Sequence, residues 1–134
     1  MTLRRKSREF ALQMLFEWDM AQQKPKQIEQ NFWKMARAAD STRKFADQLF
    51  EGAAAQADVN DKLIAELSEN WRFERLAAVD RNILRLAIYE FKSGTAPPNV
   101  VIDEALELAK KFSSAESPAF LNGILDAAQK KLEG

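Results

Sequence analysis

The sequence predicts an all-α protein, a single compact bundle of six or seven helices, and three features carry that expectation. Apolar residues recur at three- and four-residue spacing along most of the chain, the period of a helix with a buried face. Period-two alternation, the mark of a half-buried strand, is nearly absent. Helix breakers are few and fall between the apolar stretches, as at Pro25, Ser93-Gly94, Pro97-Pro98 and Pro118. With 134 residues and 46% apolar content, a chain of this kind buries roughly two-thirds of its unfolded surface. Residues 1–134 read as one domain.

The first helix is expected from about Arg5 to Gln22, with two adjoining stripes, Ala11/Leu12/Leu15/Phe16 and Phe10/Met14/Trp18. A stripe that wide calls for packing on more than one side. Pro25 ends the segment. A second helix, about Lys26 to Ala39, sets Ile28, Phe32, Met35, Ala36 and Ala39 on one face. Asp40 or Ser41 caps a third, about Thr42 to Gln56, through Phe45, Ala46, Leu49, Phe50 and Ala53. Asp58 opens a fourth, carrying Val59, Leu63, Ile64 and Leu67, unless these last two form one bent helix.

From about Phe73 to Lys92 the apolar residues leave little polar circumference, so this helix belongs at the centre, surrounded by others. After the Ala96–Asn99 loop, a helix of about Val100 to Phe112 turns Ile102, Ala105, Leu106, Ala109 and Phe112 inward. Ser117-Pro118 places an N-cap before a proline at the first helical position and starts the last helix. Its inner face is Leu121, Ile124, Leu125, Ala128 and Leu132. Gly123, inside that helix, is expected where a neighbouring helix comes close. Trp33 and Trp71 read as packing residues.

Absences narrow the function. There is no Cys and no His, which removes disulfides, zinc ribbons, thiolate nucleophiles and the commonest general base. The four glycines are too scattered for a phosphate-cradling loop. Carboxylates, Lys and hydroxyls remain, a poor kit for catalysis, and no cofactor or enzymatic activity is expected. No apolar run approaches the roughly 20 residues that span a bilayer. Gln13, Glu17 and Asp19 interrupt the early apolar stretch, so it does not read as a signal peptide, and a cytoplasmic protein is expected.

The charge pattern points to a partner. The whole chain is neutral, yet Arg4, Arg5, Lys6 and Arg8 precede any acidic residue, leaving 16 cations against 20 anions in the rest. A cationic arm beside a folded body suits a polyanion, and arginine fits phosphate with a bidentate fork. A solubilising tail is the plainer alternative. A second candidate is the loop after Lys110 and Lys111, which runs through Glu116 to Phe120. Its small polar residues at a helix start can meet a phosphate, and Phe120 can stack on an unpaired base. A plain helix connection with Phe120 in the core competes with that reading. Asp103, Glu104 and Glu107 form a solvated or protein-binding face, with Glu107 placed to pair with Lys111.

Three motifs, spread in order over the chain, carry a resemblance. Arg5-Lys-Ser-Arg8-Glu-x-Ala11-Leu-Gln-x-Leu15-Phe-x-Trp18 is followed by Val79-Asp80-Arg81-x-Ile83-Leu84-Arg85-Leu-Ala87-Ile-Tyr89-Glu90. Then come Val101-Ile102-Asp103-Glu104-Ala105-x-Glu107-Leu-Ala109-Lys110-x-Phe112 and Phe120-Leu-Asn122-Gly123-Ile-Leu125-Asp126. Together they resemble the bacterial transcription antitermination factor NusB family. The resemblance implies a helical, non-enzymatic protein. It implies binding to boxA, a short single-stranded RNA element, together with the small-subunit ribosomal protein NusE in an RNA polymerase antitermination complex that supports ribosomal RNA transcription. By position it implies RNA contacts at Arg4, Arg5, Lys6, Arg8, Lys111, Glu116 and Phe120. It implies a partner-protein surface near Phe16, Glu74 and Asp80. Phe16 stands where the family frequently has tyrosine, and Asp103 where it often has asparagine.

Two other roles compete: a helical adaptor that binds only protein, and the isolated RNA-binding domain of an rRNA cytosine methyltransferase, whose catalytic cysteine this chain lacks. A homodimer is plausible when the partner is absent. Four arm cations lead to an RNA-binding salt slope near −3, at roughly 0.7 per phosphate contact. Replacing Arg5 and Arg8 by Ala is expected to weaken RNA binding with little change in melting temperature.

Overall fold

The computed structural model of the chain describes residues 3–68 and 76–133. Among these residues there are seven α-helices: α1 Leu3–Ala21, α2 Pro25–Met35, α3 Asp40–Ala55, α4 Ala57–Leu67, α5 Ala78–Ser93, α6 Pro98–Phe112 and α7 Ser117–Glu133. The helix expected from Phe73 is described from Ala78. Phe73, Glu74 and Trp71 lie outside the described residues.

Helix α5 sits at the centre, as its crowded apolar pattern requires. It packs on α1, α3, α4, α6 and α7. Ile83, Leu84, Leu86, Ala87 and Ile88 are buried along it, and Met14, Leu15, Phe50, Leu121 and Leu125 close over them in one continuous core. Burying each of the larger side chains is worth about 1.5–3 kcal/mol. The helix ends at Gly94, whose φ of 68° turns the chain while its N–H donates to the Glu90 carbonyl.

Several boundaries and faces differ from the sequence reading. Pro25 and Pro98 each stand at the first helical position rather than in the preceding loop, where a missing N–H costs nothing. Asp40 lies inside the first turn of α3 and makes no side-chain cap; its charge faces the helix dipole instead. Helices α3 and α4 are separate, with Gln56 between them. Helix α2 stops at Met35, so the 3.6-residue period does not extend over residues 36–39, and Met35 is 89% exposed. Val59 and Leu132 are also exposed. Helix α6 buries Val101, Ala105, Leu108 and Ala109, with Ile102, Leu106 and Phe112 at the flank.

The close approach expected at Gly123 is elsewhere. A Cβ at Gly123 would meet nothing within 4 Å. A Cβ at Gly52 would fall 2.1 Å from the Tyr89 ring, so α3 and α5 touch where α3 has no side chain. Trp33 is half-buried, as expected; its ring lies edge-on to Phe10 and Phe32, and its Nε1 donates to Asp47 at 2.7 Å.

Ionic clamps lock the helices around this core. Arg81 donates to Asp19 at 2.6 and 3.0 Å, Asn82 donates to the same carboxylate at 3.1 Å, and Arg85 holds Asp61 at 2.8 Å. Burial raises the Asp19 carboxyl, yet Arg81, Arg85 and Asn82 together hold it below its ordinary range. These contacts tie α1, α4 and α5 at one end of the bundle.

Candidate nucleic-acid interface

The leading cations do not form a bare arm. They belong to α1, which is helical from Leu3, and each turns a different way. Arg4 is exposed and lies over the Phe45 ring of α3 at 4.4 Å. Arg5 forks onto Glu104 of α6, its Nε and Nη2 each donating at 3.0 Å. Lys6 reaches Glu9 at 3.6 Å and sits over the Phe10 ring.

Arg8 overturns the expectation made for it. It is 3% exposed, and its guanidinium donates to both oxygens of Glu90 in α5 at 2.8–3.1 Å. Thr95 Oγ1 donates to the same carboxylate at 2.7 Å. A residue buried this way cannot meet a nucleic acid without breaking the core, so Arg8 is removed from the RNA-contact set. The signal was in the spacing: Arg8 stands three and four residues before Ala11 and Leu12, on the buried stripe, as Glu90 stands four and three after Leu86 and Ala87.

Arg5 of α1 and Lys111 of α6 meet along the seam between these two helices. Lys111 Nζ donates to Glu9 at 2.9 Å, and Glu9 itself is buried. The expected Glu107–Lys111 pair is replaced by Lys110 to Glu107 at 3.3 Å. A shallow cleft of about 250 Å³ results, lined by Arg5, Glu9, Glu104, Glu107, Lys110 and Lys111. Arg5, Lys6 and Lys111 therefore come together, with Glu9 and Glu104 threaded between them.

A second cleft, also about 250 Å³, opens beyond the end of α6 and is lined by Leu76, Ala77, Asp80, Ser114, Glu116, Ser117 and Phe120. Glu116 is exposed and Phe120 half-buried at its wall. This floor is mostly apolar with a few hydroxyls, a surface on which a flat ring can lie. Asp80 does not sit on an open partner surface as the sequence reading expected. It is 7% exposed, and its two carboxylate oxygens accept hydrogen bonds from Ser113 Oγ at 2.6 Å and Ser117 Oγ at 2.9 Å. It fixes the α6–α7 loop from behind. Ser117 thus turns its hydroxyl to Asp80 and to the neighbouring serines.

Phe16 does lie at the surface, 39% exposed on α1. With Leu12, Gln13, Glu17, Val79 and Phe112 it frames a separate apolar cleft. Glu74 cannot be placed beside it, being outside the described residues. Sequence reasoning missed Glu9 and Glu104 as members of the site, because their partners lie far away along the chain.

Comparison with known proteins gives one family. The model of the NusB family matches residues 5–130. A curated relative, the transcription antitermination protein NusB of Koribacter versatilis (strain Ellin345), is 48% identical over 132 residues, covering 97% of this chain and 90% of that one. Among solved structures, T. maritima NusB superposes with a TM-score of 0.86 at 33% identity, covering 97% of this chain and 92% of the other. A crystal structure of antitermination factors NusB and NusE in complex with dsRNA matches with a TM-score of 0.85 at 26% identity, covering 98% of each chain.

Proposed function

The chain belongs to the NusB family, and from that premise we propose that it is a transcription antitermination factor, not an enzyme. It binds boxA-type single-stranded RNA together with the ribosomal protein NusE, within a cytoplasmic RNA polymerase antitermination complex that supports ribosomal RNA transcription. All of residues 1–134 serve as one helical RNA-binding unit.

The observation that carries the reading is the meeting of Arg5, Lys110 and Lys111 on one cleft, with Lys6 reaching Glu9 at its edge; a second, largely apolar cleft is walled by Phe120. Phosphates run along the first and set affinity; an unpaired base enters the second and sets strand preference. Arg4 extends the cationic edge toward α3. Phe16 and its apolar neighbours support NusE docking, since an exposed aromatic in an apolar cleft is the usual anchor of an interface.

The test is an anisotropy titration of labelled boxA-type RNA with the chain and NusE across a range of salt. Arg4, Arg5, Lys6 and Lys111 give about four phosphate contacts, so a log–log slope near −3 is expected at roughly 0.7 each. A single strand should compete better than a duplex of the same sequence. A slope near zero would remove RNA from the function and leave a protein-binding adaptor.

A further inference from the structure

We propose that Glu104 is a built-in competitor for RNA phosphate: it occupies the Arg5 fork in the RNA-free chain and must be exchanged for a phosphate when RNA binds. This rests on the reading that the cleft of Arg5 and Lys111 takes the RNA backbone.

The geometry is that of an exchange. Arg5 presents Nε and Nη2 to the two carboxylate oxygens of Glu104, each at 3.0 Å. That two-pronged arrangement is the one a guanidinium offers a phosphate. The two partners differ in freedom: the Arg5 side chain is 40% exposed, that of Glu104 only 16%. Glu104 is the more enclosed of the two and Arg5 the more exposed, so the arginine is the partner that a ligand in solvent meets. Glu104 also raises the Arg5 guanidinium pKa further, through the hydrogen bond and its charge.

The neighbouring contacts separate exchange from a general effect of charge. Arg4 stacks on Phe45 and meets no carboxylate among the described contacts, so it is open to phosphate without an exchange. Asp103, one residue away on α6, is exposed and makes no ion pair among the described contacts. It carries the same charge as Glu104 one position along the helix, but is not among the acids that act on Arg5. An ion pair kept closed in this way damps attraction to any passing polyanion. It opens for a strand that gains further contacts in the Phe120 cleft.

The experiment uses the full chain with NusE and labelled boxA-type RNA, with melting curves confirming that each variant is folded. Glu104→Gln should bind RNA about two- to fivefold more tightly, the size expected from freeing a partly exposed ion pair. Asp103→Asn should gain clearly less. In the Arg5→Ala background the gain from Glu104→Gln should vanish, a coupling that only a shared partner produces. Equal gains from Glu104→Gln and Asp103→Asn, or an undiminished gain without Arg5, would overturn the exchange and leave a field effect. A Glu104→Gln chain that binds no more tightly than the parent, while the parent keeps its salt-dependent binding, would overturn the inference alone. Loss of salt dependence in the parent would overturn the RNA-binding reading as well.

Discussion

Arg8 and Arg4, four positions apart in one helix, show how little residue type decides. Arg4 lies on the surface over an aromatic ring, and Arg8 is sealed against Glu90. Removing one partner of a buried pair leaves the other charge uncompensated, which costs about 3–5 kcal/mol. Arg8→Ala is therefore expected to lower unfolding free energy by that amount in urea titration, so an unmoved melting temperature no longer holds for this residue. Replacing both partners by apolar residues of similar size should cost far less. Gly52 makes a second case. Gly52→Ala should destabilise through its clash with Tyr89. In a Tyr89→Ala background the same change should turn favourable by about 1 kcal/mol, the helix preference of alanine over glycine. A destabilisation that persists without Tyr89 would mean that the ring is not the obstacle.

Where α2 meets α3, Lys26 reaches both Glu29 at 3.5 Å and Glu51 at 3.3 Å. Glu29 is buried, and its Oε2 has no hydrogen-bond partner. Burial, a carboxyl–carboxylate hydrogen bond to Glu51 and the charge of Asp47 push its pKa up to about 8, against a smaller opposing pull from Lys26. A group whose folded pKa is raised stabilises the fold below its unfolded pKa near 4.5, and that contribution is lost as pH rises to about 8. Glu29→Gln, which stays neutral, should flatten this part of the pH–stability curve and be more stable than the parent at pH ~9. Unfolding titrations at pH ~5 and ~9 check it; a parallel loss in both chains would place the titration elsewhere. Asp80 of α5 makes a different tie: it accepts from the hydroxyls of Ser113 and Ser117 and so anchors the loop between α6 and α7 that walls the Phe120 cleft.

The assembled bundle keeps the two proposed binding faces in separate clefts. The cationic cleft runs between α1 and α6, while Phe16 looks out of another cleft with Val79 and Phe112. Phe16→Asp is therefore expected to weaken NusE binding at least tenfold, while RNA binding by the chain alone and the melting temperature change little. Partner binding is read by calorimetry and stability by thermal unfolding. A large drop in melting temperature would show that Phe16 is a core residue, contrary to its exposure.

Helical class, element order and the central place of α5 were legible in the chain because burial imposes a 3.6-residue period wherever a helix packs. The stripes of α1 and α5 carry that period plainly, and so does the family resemblance. The site was legible only as a set of candidates. Arg4, Arg5, Lys6 and Lys111 stand at the surface, but Arg8 and Asp80 do not, and the acids that hold Arg5 and Lys111 were not foreseen. Local period tells which side of its own helix a residue occupies, not what stands across the gap. Glu90 opposite Arg8, Glu104 opposite Arg5 and Tyr89 over Gly52 come from distant parts of the chain. Packing of whole helices chose those neighbours, and with them which charges stay open to a ligand.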